Sequence, residues 1–254
     1  MLKSSLRGKP KAKRREKRAV AANELLAVDG VNVAVSVKLN ARARRIVMRV
    51  HPASGEVIVT APARGGAGPA LAFARRETQW IARQLKHLPE KVELMPGAEV
   101  PYLGTGHPIR YSPTRGPGPV WAEGGAIMVS GRIEHAPRRL LDFFKQQARL
   151  LFAARALDYA ARLGTRPQRI TVRDTKSRWG SCSQQGALSF CWRLVFAPDY
   201  VRDYVVAHEV AHLREMNHSP RFWAHVKSLV PDLKAAQAWL RANGRDLQRY
   251  GVKN

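Results

Sequence analysis

The chain is short of three things. It has only two cysteines, Cys182 and Cys191, in 254 residues. Two cysteines make no disulfide framework, and their separation does not match a zinc ribbon or finger. They read as small buried hydrophobes in a reducing, cytoplasmic setting. No apolar run approaches the roughly 18–20 residues of a membrane span. The basic N-terminus is not followed by the apolar segment of a secretory signal. A membrane protein and a disulfide-stapled secreted domain are therefore poor readings. Acidic residues are the third scarcity: 19 Asp and Glu stand against 44 Lys and Arg, a formal net charge of +25.

Part of that charge is local. Residues 3–18 hold nine Lys and Arg against Glu16. Such a block repels itself and predicts a disordered basic tail over residues 1–22. The tail is a candidate for weak polyanion or nucleic-acid binding; a solvated tail with no partner is the plainer alternative. Beyond it, 45% hydrophobic residues fit a globular protein with one large core or two smaller ones.

Residues 23–135 read as β-rich. Val31, Val33, Val35 and Val37 alternate with period two. Ile46, Met48 and Val50, then Val57 and Val59, continue the pattern across turns at Asn40 and Pro52-Ala53-Ser54-Gly55. This predicts a three-stranded antiparallel meander. Residues 68–86 switch to helical spacing through Leu71, Phe73, Trp80, Ile81 and Leu85, with Arg75 and Arg76 interrupting the stripe. Short strands are expected near 107–111, 119–122 and 126–130, around a stretch from Pro113 to Pro119 too rich in Pro and Gly for a regular element. No internal repeat is evident.

Residues 136–254 read as mainly helical. Leu140, Phe144, Ala148, Leu151, Phe152 and Tyr159 lie near helical spacing, and Gly164 stands at a stop. Short strands are expected over 168–174 and 187–193. A helix then begins near Pro198-Asp199, where the acid complements the helix dipole. The fold class is α+β, a β-rich N-terminal part followed by a helical domain with a small sheet.

That helix carries His208-Glu209-Val210-Ala211-His212. Histidines at i and i+4 share one face, so both imidazoles can reach one ion. Glu209 is set about 100° around the helix, free to face a bound water without being a ligand. Three protein ligands and one open position suit catalytic Zn2+, which lowers the pKa of bound water toward about 7 while a carboxylate takes the proton. Two backbone-bonded histidines on a buried face are the bland alternative, a costly one with Glu209 between them.

His218 is the favoured third ligand. A continuous helix would carry it away from the metal face, so the helix must end between His212 and His218. Asn217 tolerates the left-handed conformation that ends helices, and Ser219-Pro220 read as the N-cap and first position of the next helix. His225 and Asp232 remain competing ligands.

These residues bring a family into view. Arg178-Trp179-Gly180-Ser181-Cys182-Ser183, Trp192-Arg193-Leu194, Ala197-Pro198, Asp203 through Leu213, Asn217-His218-Ser219 and Phe222-Trp223 occur in that order. The pattern resembles the YgjP-like metallopeptidases, relatives of the WLM and SprT-like zincins. The resemblance extends back through Tyr102-Leu103-Gly104 and Trp80-Ile81, over roughly residues 25–245. Cys191 departs from it, standing where Asn or Ser is more usual. The resemblance implies a zincin-like catalytic domain over 136–254, with His208, His212 and His218 as metal ligands and Glu209 as general base. The β-rich domain would be 23–135.

Three functions compete. A metallopeptidase would lay its peptide substrate along a sheet edge near 187–192, with Arg178, Trp179 and Ser181 as candidate substrate or oxyanion residues. A nucleotide (UTP) pyrophosphatase, which some relatives resemble, would use Lys176, Arg178, Arg193, Arg214 and Arg221 on phosphates, though a two-metal site wants more carboxylates. A non-enzymatic zinc domain binding nucleic acid is third; structural zinc sites usually close with Cys and leave no open position.

Overall fold

The first strand forms where the hydrophobic pattern is weakest. In the computed structural model, which describes residues 20–51, 54–88, 90–114, 116 and 118–251, β1 (Val20–Val28) pairs antiparallel with β2 (Val31–Asn40). The turn between them is Asp29-Gly30, with φ of 49° and 79°. Two positive φ values suit the right-handed twist of a hairpin, which is why Asp-Gly is favoured there. Glu24 faces the same side as Leu26 and Val28, and it is held by two hydrogen bonds from Arg75, at 2.8 and 2.7 Å. The strand thus begins inside the segment expected to be tail; the rest of that expectation, residues 1–19, lies outside the described residues.

The meander does not form. β3 (Val47–Val50) and β4 (Val57–Pro62) pair antiparallel, but β4 inserts between β3 and β2 and runs parallel to β2. The order is β1-β2-β4-β3. Val57, Ile58 and Val59 are all buried, as an interior strand requires. β3 exposes Val47 and Arg49, as an edge strand can. The expected single helix is two, α1 (Gly68–Arg76) and α2 (Thr78–Lys86), broken at Glu77 just after the Arg75-Arg76 interruption.

The chain divides into two compact units between His87 and Leu88, whereas the sequence placed a boundary at 135/136. The reason is packing. In β5 (Glu99–Val100), β6 (His107–Ser112), β7 (Val120–Glu123) and β8 (Ala126–Ser130), the inward residues Val100, Ile109, Ile127 and Val129 share one core with the helices that follow. This second sheet has the order β5-β6-β8-β7, with the same strand senses as the first. A repeat of topology therefore exists that the sequence does not display.

Helix α3 (Ala136–Arg162) buries Leu140, Phe144, Ala148, Phe152 and Ala156, a stripe at four-residue spacing. It ends as expected at Gly164, with φ +62° and Thr165 N–H donating to the Ala160 carbonyl at 2.8 Å. The third sheet holds β9 (Arg169–Arg173), β10 (Gly180–Cys182) and β11 (Ala187–Cys191) in the order β10-β11-β9. β11 is its middle strand, with Leu188, Phe190 and Cys191 buried. The segment 187–192 is therefore not the sheet edge expected; β10 and β9 are the edges. Three helices complete the unit, α4 (Asp199–Ala211), α5 (Pro220–Leu229) and α6 (Leu233–Leu247). Among the described residues no helix is long and apolar enough to cross a membrane.

Candidate metal centre

Helix α4 is fixed at its start. Pro198 supplies the N-cap, and buried Arg202 donates to the Ala197 carbonyl and to Asp199, the latter at 2.8 Å. Gly104, with φ +87°, comes so close that a Cβ there would lie 2.8 Å from Pro198 Cα. Only glycine meets both demands. The Tyr102-Leu103-Gly104 turn thus seats the metal helix.

The helix then ends early enough to turn the third histidine back. α4 stops at Ala211, with His212 as C-cap, and a turn follows in which Leu213 N–H donates to Val210 and Glu215 N–H to Ala211. Asn217 does not adopt the expected left-handed conformation. Its side-chain oxygen accepts from Ser219 N–H at 3.2 Å instead, a side-chain turn that places His218 just before α5. Ser219 caps α5 through Phe222 N–H, and Pro220 takes the first turn, both as expected.

The result is a cluster of three imidazoles. Ring centroids are 5.0 Å apart for His208–His212 and His208–His218, and 4.9 Å for His212–His218. One nitrogen of each lies within 4.8 Å of the others. Phe222, fully buried, forms a floor under all three, with centroids at 4.9, 4.5 and 4.7 Å. His225 and Asp232 stay outside the cluster; Asp232 instead caps α6 by accepting from Ala235 N–H at 3.0 Å.

This donor set fits a metal. His212 Nδ1–H is placed to donate to the Glu215 carbonyl at 3.0 Å, which leaves Nε2 as a bare lone pair. His218 Nε2 and His208 Nε2 stand 3.1 Å apart. Tetrahedral ligands at about 2.0–2.1 Å from zinc are separated by about 3.3 Å, so the spacing suits two ligands of one ion. Burial, with the neighbouring imidazoles, pushes the His208 pKa down to about 4 and lowers that of His212. Neutral imidazole is the ligating form.

Glu209 lies beside the cluster and outside it. It is 7% exposed, and its carboxylate accepts a hydrogen bond from the backbone N–H of Cys182 on β10. Burial lifts its pKa to about 7 against the opposing pull of Arg178 and of that N–H. The space it occupies exists because residue 180 is glycine: a Cβ there would sit 2.7 Å from Glu209 Cδ and 2.5 Å from Oε1. Gly180 has no side chain that would mark it in the sequence as part of the site.

A family model describing the YgjP-like metallopeptidase domain matches residues 44–243. The chain belongs to the YgjP-like metallopeptidase family. Among solved structures it is similar to the metallopeptidase zymogen of Pyrococcus abyssi abylysin, with a TM-score of 0.33 and 20% identity over 37% of this chain and 93% of that one. Comparison with the curated proteins gives no match.

In this YgjP-like site the three candidate substrate residues separate. Arg178 is exposed and acts electrostatically on Glu209. The Trp179 indole packs toward α6, where a Cβ on Gly244 would meet it at 3.3 Å. Strand alternation sends Gly180 and Cys182 toward Glu209 and Ser181 to the opposite face, across from Ser189. The Cys182 thiol, half-buried beside Glu209, is pushed up to about 11, which makes it a poor nucleophile.

Proposed function

We propose that the chain is a zinc metallopeptidase in which His208, His212 and His218 hold the ion and Glu209 is the general base. The observation that carries this reading is one buried carboxylate, fixed by the Cys182 N–H, next to three imidazoles that it does not join as a ligand. When bound by these three histidines, a zinc ion would supply Lewis acidity, which lowers the pKa of a water toward about 7. Glu209 accepts the proton of the attacking water and hands it to the leaving amine. The cradle at Gly180 holds the carboxylate in place for both transfers. Arg178, which acts electrostatically on Glu209, is the candidate to stabilise the charge that develops on the carbonyl oxygen.

The β10 edge supports an extended peptide as substrate. Trp179 and Ser183 spend their backbone groups on β11, through Cys191 N–H at 2.8 Å and the Ala187 carbonyl at 3.0 Å. By antiparallel alternation the N–H and C=O of Gly180 point away from β11, toward an incoming strand. A pyrophosphatase finds less support. Among the described residues the metal-ligating group contains no carboxylate to hold a second ion.

The test is to incubate the zinc-loaded chain separately with a denatured-protein mixture and with nucleoside triphosphates. New amino termini, read by mass spectrometry, are expected from the first. Pyrophosphate from the second with no new termini would replace the peptidase reading.

A further inference from the structure

The first unit carries a charge that the metal site does not use. Residues 1–87 hold 19 Lys and Arg against five Asp and Glu. The strand register shows where part of this charge goes. β2 and β4 run parallel and finish together, with Asn40 beside Pro62. β3 starts at the same end, with Val47 beside Thr60. Because β4 lies between β2 and β3, the connection 41–46 must cross the end of β4. Its start is held by Ala43 N–H donating to the Asn40 carbonyl at 3.0 Å and Arg42 N–H to the Asn40 side chain at 3.1 Å.

That crossing loop carries Arg42, Arg44 and Arg45, all exposed. Exposed Arg64 follows β4 at the same end, and Lys38 lies two residues in from Asn40, beside Thr60. β1 also enters here, since Val20 pairs with Lys38. The sheet's own carboxylates are elsewhere. Asp29 and Glu56 lie at the opposite end, and Glu24 is taken by Arg75. Arg42, Arg44 and Arg45 of the crossing loop and Arg64 of the connection after β4 thus share one end of the sheet with Lys38, and among the described residues the acids of the sheet lie elsewhere.

We propose that this end of the first unit binds the phosphate backbone of duplex nucleic acid. Arginine predominates, and its planar guanidinium suits phosphate in two-point contact. Closely spaced fixed charges match a regular array of phosphates, and their binding releases counterions. Recognition of single strands would call for aromatic platforms on which bases stack. The unit has two aromatic residues, Phe73 and Trp80, and both lie on its helices. Anionic lipid would favour large apolar side chains among the charges; among the described residues the large apolar side chains exposed at this end are Val20 and Val47. The surface is independent of the metal chemistry and stands whether or not the chain cleaves peptides.

The experiment uses the full chain and fluorescence anisotropy with a labelled 20-base-pair DNA duplex, at several salt concentrations. Its other arms are a single-stranded oligonucleotide of equal length and vesicles of phosphatidylcholine with phosphatidylserine. The variant is Arg42→Ala, Arg44→Ala and Arg45→Ala together. The control removes three exposed arginines of the second unit, Arg149→Ala, Arg166→Ala and Arg241→Ala. Duplex binding should weaken at least tenfold in the first variant. Its plot of log affinity against log salt should also become shallower by two to three, about 0.9 per lost phosphate contact. The control should change both by much less. A circular-dichroism spectrum and a thermal unfolding curve equal to wild type show that the loop variant has folded, and Arg44→Glu alone gives the same direction with less disturbance. Equal losses in variant and control, stronger binding to the single strand or to vesicles, or no binding to duplex would each overturn the proposal.

Discussion

Substituting Gly180 by alanine separates a base held in a fitted cradle from a base that merely lies nearby. The added Cβ would meet Glu209 Cγ as well as Cδ at 2.7 Å and Oε1 at 2.5 Å. The Cγ is near the root of a side chain on α4, so it cannot swing clear as a chain end would. Either the carboxylate leaves its hydrogen bond to Cys182 N–H or β10 shifts away from α4. Overpacking of this kind costs about 1–3 kcal/mol. A base displaced by about 1 Å costs about a hundredfold in rate. The three atoms nearest that Cβ all belong to Glu209 and none to a histidine, so zinc stoichiometry should stay at wild type. The assay is kcat/KM on a cleaved peptide, with metal analysis and a thermal midpoint on the same preparation. The account expects a rate loss of about two orders of magnitude with zinc retained and a modestly lowered midpoint. Unchanged turnover in Gly180→Ala would refute the cradle.

Other outcomes follow from the same geometry. His218→Ala should lose zinc and His225→Ala should keep it, as elemental analysis can show; retention in His218→Ala would reassign the third ligand. Phe222→Ala removes the buried floor under three imidazoles, so it should cost about 3–5 kcal/mol in denaturant unfolding and loosen zinc. In the chelator-stripped chain two shifts oppose. The depressed His208 means that the unfolded state takes up the proton first, so this contribution is lost as pH falls from about 6.5 to about 4. The raised Glu209 contributes below about 4.5 and loses that contribution as pH rises to about 7. The stripped wild type should thus show a shallow profile of midpoint against pH. Glu209→Gln should expose a fall on the acid side, and an unchanged profile would contradict the assignment.

The three-histidine cluster was the most legible part of the sequence. Histidines at i and i+4 on a helix, with a capping serine and a proline after His218, are local patterns, and local geometry realised them. The route by which His218 returns was less legible. An asparagine can end a helix through its backbone or through its side chain, and Asn217 uses the side chain. The first sheet was misread because period-two spacing reports faces and says nothing of neighbours. The run Val57-Ile58-Val59, apolar on both faces, was the available sign that β4 is interior. β1 escaped notice because a charged residue, Glu24, stands on its packed face and is satisfied by Arg75, 51 residues away. The parting of the units at 87/88 depends on which core Ile109 and Ile127 join, a long-range fact absent from any window of sequence.

The central claim is that Glu209 moves protons and does not hold the metal. Glutamine keeps its size and helix propensity but cannot accept a proton. The decisive measurement is zinc content and peptide turnover on one preparation of Glu209→Gln. The account predicts wild-type zinc and a rate lower by about two to four orders of magnitude, the span of a general base. Full turnover, or loss of the zinc itself, would contradict it.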